Sequence, residues 1–166
     1  MVGIPQNIMN KISSILHLNH PFSVPDWIPL AFSGFALLGL FDALFLTWYH
    51  YAGLSVPCSV TSGCETVLSS QYAVWFGIPL ALIGSLYYMA QFIGMTAYFL
   101  TQKRNIFLGC FLMSTIGFSA SIVFVGIQLG ILSAICTYCM LSAITSTILC
   151  ALASIGIIQT SGNRNR

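Results

Sequence analysis

Four cysteines in this chain have the types and spacing that thiol chemistry needs: Cys58 and Cys64, six residues apart, and Cys136 and Cys139, three apart. Thiols so placed form structural disulfides, bind a metal, or exchange electrons. Cys136 and Cys139 stand at the expected start of a helix, so both project from one face of its first turn. Unpaired N–H groups and the helix dipole at that place favour a thiolate, which suits a pair that cycles between dithiol and disulfide. Cys58 and Cys64 lie in the long loop PCSVTSGCETVLSSQYAVW, where Gly63 leaves the chain free to close a disulfide and open it again. A disulfide that merely caps the helix is the plainer alternative. Zinc is a further one, disfavoured because no acidic or histidine ligands adjoin the CxxC pair.

The elements that must position these thiols follow from composition. Only 5% of the 166 residues are charged and 57% are hydrophobic, too little charge to cover a soluble surface. The net charge of +2 is too small and scattered for a nucleic-acid partner, and no polar segment could enclose a second, soluble core. The chain reads as an integral, multi-pass membrane protein of all-α class. Stretches near 27–50, 75–100, 106–130 and 136–158 each supply the roughly 20 apolar residues a crossing needs. Trp48, Tyr49 and Tyr51 form an aromatic belt at the end of the first. Small residues recur inside the segments (Gly34, Gly39, Gly84, Ser85, Gly109, Gly117, Ser119, Ser121), which predicts a tight four-helix bundle.

Every Lys and Arg falls on one side of this arrangement: Lys11, Lys103, Arg104, Arg164 and Arg166. That side is the cytoplasmic one, with both termini, and the loop between the first two helices faces outward with both cysteine pairs. Residues 1–26 carry Ile4, Ile8, Ile12, Ile15 and Leu16 at near-helical spacing without a small-residue cleavage site. They read as an interfacial helix on the inner leaflet, broken by Pro21 and Pro25, rather than a signal peptide. Residues 159–166 read as a polar tail.

With both pairs on one side, electrons have a route. A soluble dithiol would reduce the loop pair, and the loop pair would reduce the CxxC pair by thiol–disulfide exchange. At bilayer depth the CxxC pair needs an acceptor that dissolves in lipid, and a quinone fits. Asp42 sits about two turns before the end of the first helix, where an isolated charge is costly and points to a pocket or packing role. His50 at the outer boundary is an anchor or a proton shuttle, and Tyr138 tunes access to the cysteines or packs against lipid. Cys110 and Cys150 lie away from both pairs and read as small packing residues.

The run from Asp42 to Trp48, the segment CSVTSGCETVLSSQYAVWFGIPLALIGSLYY and Cys136-Thr-Tyr-Cys139-Met-Leu-Ser-Ala resemble the vitamin K epoxide reductase family, above all its bacterial and archaeal members, over about residues 30–150. The shared features are a wide cysteine pair after the first helix, Ser70 six residues after Cys64, Phe76-Gly77-Ile78-Pro79 leading into the second helix, and CxxC opening the last. The resemblance implies that Cys139 faces the quinone and Cys136 resolves it. It implies that Cys64 forms a mixed disulfide with Cys136, leaving Cys58 to exchange with a separate thioredoxin-like (DsbA-like) protein. Ser70 would orient loop and pocket, Phe76, Tyr138 and Asp42 would border the quinone, and Glu65 matches a frequent acid of bacterial members. Ubiquinone, menaquinone or a vitamin K type quinone would be the electron acceptor, with no metal, and the cell (inner) membrane the location.

Two departures count against reduction of an epoxide. The animal enzymes carry a Tyr four residues after the second CxxC cysteine, where this chain has Ala143, and their quinone-binding Asn has no match. The DsbB-type membrane oxidases share the chemistry but place CxxC first and the wide pair second. The remaining alternative is a membrane bundle whose cysteines only staple loops or hold a metal.

Overall fold

A computed structural model of the chain describes residues 24–57 and 63–164. The interfacial helix expected in the N-terminal segment lies almost wholly outside the described residues. The predicted all-α bundle is the observed one. Its long helices are α1 (Trp27–Ala52), α3 (Leu80–Thr101), α4 (Arg104–Ile127) and α5 (Thr137–Arg164), with a short α2 (Gly63–Leu68) between the first two. All four long helices are apolar enough to cross a membrane. In lipid the backbone has no water to bond, so a crossing chain closes its own hydrogen bonds as helix. Large side chains such as Leu30, Phe41, Ile93, Leu112 and Ile158 are exposed because their solvent is the bilayer.

The helices run alternately up and down in a ring, α1 against α3 and α5, and α4 against the same two, with α1 and α4 diagonal. Short stops make that possible. Gly53 ends α1 at φ +64° as its N–H bonds to His50 O and the Leu54 N–H reaches Tyr49 O, a Schellman closure. Gln102, at φ +54°, turns the chain so that only it and Lys103 separate α3 from α4. Some of the predicted small residues do bring helices together: the Tyr88 ring lies over Gly39 and the Tyr87 ring over Gly117. Gly34 and Gly109 have open space beside them.

Three boundaries differ from the hydropathy reading. The second crossing begins at Leu80, not near 75, because Val74–Trp75 and Ile78–Pro79 pair as a small antiparallel hairpin. Its two-residue turn, Phe76 and Gly77, takes φ of +50° and +79°, the mirror-image turn that matches strand twist. After Ile127, α4 continues as a π-helical turn over Gln128–Leu132. The last helix runs on to Arg164, through the segment expected to be a tail.

The core is densest towards the Lys103 and Arg104 end. Ile28, Phe32, Met95, Tyr98, Phe107, Leu149 and Ala153 are sealed there, and the Tyr98 hydroxyl accepts the Val24 N–H at 3.3 Å. Towards the cysteine end the helices part.

Candidate functional site at the cysteine end of the bundle

The CxxC pair opens α5 beneath the α4–α5 connection, and Gln128 builds that connection. Its backbone carbonyl accepts the N–H groups of Ser133, which sits at φ +48°, and of Ala134 at 3.1 Å. Its side-chain Oε1 accepts the Cys136 N–H at 3.0 Å, in the buried interior. One residue thus satisfies the orphan N–H at the start of α5 and fixes where the first thiol stands.

Cys136 is fully buried, and it packs with Cys64 and Val67 of α2 in one cluster, bordered by Leu132, Tyr138 and Cys139. This contact depends on Gly63. A Cβ there would stand 2.7 Å from both the nitrogen and the oxygen of the Ile135 backbone, so only glycine lets α2 approach the residue before Cys136 this closely. Cys64 is disulfide-bonded, and its expected partner Cys58 lies outside the described residues. Cys136 and Cys139 are free thiols, as are Cys110 and Cys150.

The two CxxC thiols are not equivalent. Cys136, just ahead of the membrane-spanning part of α5, is held down from 9.0 to about 7, chiefly by a hydrogen bond from the Cys139 thiol. Burial opposes this, the backbone N–H groups of Cys139 and Tyr138 assist it, and the charge of Asp42 opposes it weakly. The Cys139 N–H lies 3.4 Å from Cys136 Sγ. Cys136 is therefore the sulfur best able to leave or attack as a thiolate.

Cys139 also lines a cavity of about 770 Å³ bordered by α1, α3, α4, α5 and the loop after α2. That is within the roughly 300–1,000 Å³ usual for small-molecule sites. Asp42 and Leu46 line it from α1, Tyr87 and Tyr88 from α3, Phe124 and Gln128 from α4, and Ser142, Ala143 and Ser146 from α5. Glu65 and Ser70 border it from the loop, and His50 from the end of α1. The Tyr88 hydroxyl donates to the Ser142 carbonyl at 2.8 Å and meets its Oγ at 2.9 Å. Ser121 and Ser146 join hydroxyls at 2.6 Å, tying α4 to α5. Ser70 donates to Val67 O at 2.7 Å, holding the cavity rim to the end of α2.

Of the residues singled out in the sequence, Asp42, Ser70 and Cys139 meet at the cavity, while Cys64 and Cys136 meet beside it. Two others do not reach the cavity lining. Phe76 is 97% exposed at the hairpin tip, since the turn that begins α3 late carries it outward. Tyr138 points to the loop, donating to Pro57 O at 3.2 Å and lying against Phe45, with ring centres 5.4 Å apart. Tyr88, Gln128 and Ser142 went unremarked in the sequence. Ser142 and Ser146 follow Cys139 at helical spacing, so the polar face beneath it was open to discovery. Gln128 carries no comparable signal. Among the described residues, no three His, Cys, Asp or Glu side chains converge as a metal site requires.

The chain is thus a multi-pass helical bundle that sets a CxxC dithiol between the disulfide-bonded Cys64 of α2 and a cavity among the helices. Residues 30–154 match the vitamin K epoxide reductase family, and the chain belongs to it. It is also similar to thiol-disulfide oxidoreductase LTO1 of Arabidopsis thaliana, 34% identical over 115 residues, or 64% of this chain and 31% of that protein. The match thus takes in less than a third of the length of this relative.

Proposed function

We propose that the protein generates disulfides by passing electrons from a thioredoxin-like dithiol, through Cys58/Cys64 and Cys136/Cys139, to a quinone. The observation that carries this reading is the division between neighbouring thiols: Cys136 is packed on Cys64, and Cys139 opens into the cavity. The name of the Arabidopsis relative describes the same class of chemistry. Both cysteine pairs face outward from the cell membrane in this reading, since Lys103 and Arg104 lie at the opposite end.

The order of steps follows from the positions of the thiols. A partner thiolate opens the loop disulfide at Cys58. The freed Cys64 thiolate attacks Cys136 in the oxidised CxxC pair, and Cys139 leaves with the electron pair. The partner's second thiolate attacks the partner sulfur of the mixed disulfide, which leaves the partner oxidised and frees Cys58. Cys58 then attacks Cys64, restoring the loop disulfide and releasing Cys136, whose lowered pKa makes it a good leaving group. The CxxC dithiol is left beside the cavity. In this reading, electron transfer to the quinone starts from a state with Cys64 oxidised and Cys136 and Cys139 reduced.

The Cys58→Ala variant tests the division of labour. It should lose quinone reduction driven by a thioredoxin-like donor yet keep most of the turnover driven by a small dithiol. Equal loss with both donors would contradict the relay order.

A further inference from the structure

Two buried side-chain oxygens among the described residues have no hydrogen-bond partner: Gln91 Oε1 and Asp42 Oδ2. Gln91 lies below the cavity, where its amide already donates to Ser114 Oγ at 2.8 Å. Asp42 is different. It stands on the cavity wall, 8% exposed, in a helix whose middle has no basic residue to pair with it. An unpaired carboxyl at membrane depth is expensive and is characteristically retained for function.

The Tyr88 hydroxyl, which lines the same cavity, donates to the Ser142 carbonyl. His50 and Glu65 border the cavity but are exposed to solvent. The titratable groups that face Asp42 are therefore Tyr88 from α3 and the two thiols at the start of α5, all close enough to feel its charge, with His50 and Glu65 at the rim.

We infer that Asp42 is the proton carrier of the quinone site, taking the proton of the Cys139 thiol and delivering it to a quinone oxygen. The inference rests on the quinone reading above and adds the acid–base group that reading lacks. The reaction balances without any further reactant. Two S–H bonds break and one S–S bond forms, the electron pair goes to the quinone, and the two thiol protons form the two O–H bonds of the hydroquinone. One proton travels by way of Asp42, which ends each cycle as it began.

The test compares wild type, Asp42→Asn and Asp42→Glu, purified in detergent, for reduction of a short-chain ubiquinone analogue by a small dithiol across pH. Asp42→Asn should lower kcat by about a hundredfold, a usual size for the loss of a general base, with KM changed less than about twofold. Its residual rate should climb with pH as the thiolate forms without assistance. Asp42→Glu should restore most of the rate, which a purely steric role for Asp42 would not predict. An Asp42→Asn variant with wild-type kcat and pH profile, or one whose loss lies wholly in KM, would overturn the inference while leaving quinone reduction standing. A wild type inert towards quinone would overturn both.

Discussion

Where α3 turns into α4, the bundle is closed: Phe32, Met95, Tyr98, Phe107 and Leu149 fill the space between the four helices. At the cysteine end the same four helices enclose about 770 Å³ and line it with a carboxyl, tyrosines and serines. Between helices in lipid the hydrophobic effect gives little, so close packing and interhelical hydrogen bonds hold the bundle together. One end supplies the packing, which lets the other keep a cavity and the unpaired groups that chemistry needs. Stability and reactivity are thus divided along the length of the same helices.

The largest expected effect lies at the reactive end. Gly63→Ala places a methyl against the Ile135 backbone and should push Cys64 away from Cys136. A displacement of about 1 Å can cost on the order of a hundredfold in rate. Formation of the Cys64–Cys136 disulfide by an added thiol oxidant such as diamide, in a background of Cys58→Ala and Cys139→Ala, should slow accordingly. Trapping at the parental rate would mean that the contact is not needed.

Next in size is truncation at the closed end. Phe107→Ala leaves a cavity, and the cavity term alone amounts to roughly 2 kcal/mol. Phe124→Ala, on a wall that already faces open space, should cost less than half as much. Reversible unfolding in mixed detergent micelles measures both. Similar losses at the two sites would erase the contrast between the ends.

The smallest effect is a titration. Cys136 in the reduced protein should form its thiolate at about pH 7, followed by ultraviolet thiolate absorbance. Because the chief cause is the Cys139 thiol, Cys139→Ala should move that midpoint upward, and the fraction of thiolate at neutral pH should fall. An unmoved midpoint would assign the depression to the backbone N–H groups instead.

Much of this division could be read in the sequence. Apolar length alone located four crossings, since a membrane leaves a backbone few other choices. The places of Cys64, Cys136 and Cys139 between the crossings put them at the end away from Lys103 and Arg104, where the structure has them. What escaped the reading depends on local backbone geometry or distant contact. Trp75 and Phe76 look like the start of a membrane helix, yet the positive φ at Phe76 and Gly77 makes a hairpin of them. Gly63 read as a source of loop freedom, whereas its function in the fold is close approach to Ile135. The Tyr88–Ser142 pair spans 54 residues of chain, and no local pattern announces it.

The central claim is that electrons leave through Cys139 into a quinone held in the cavity. Its most direct test is quinone reduction by the purified protein with a small dithiol as donor, comparing wild type with Cys139→Ala. The account predicts steady turnover in wild type and none in the variant, with both proteins equally folded. A folded wild type that reduces neither ubiquinone nor menaquinone, or a Cys139→Ala variant as active as wild type, would contradict it.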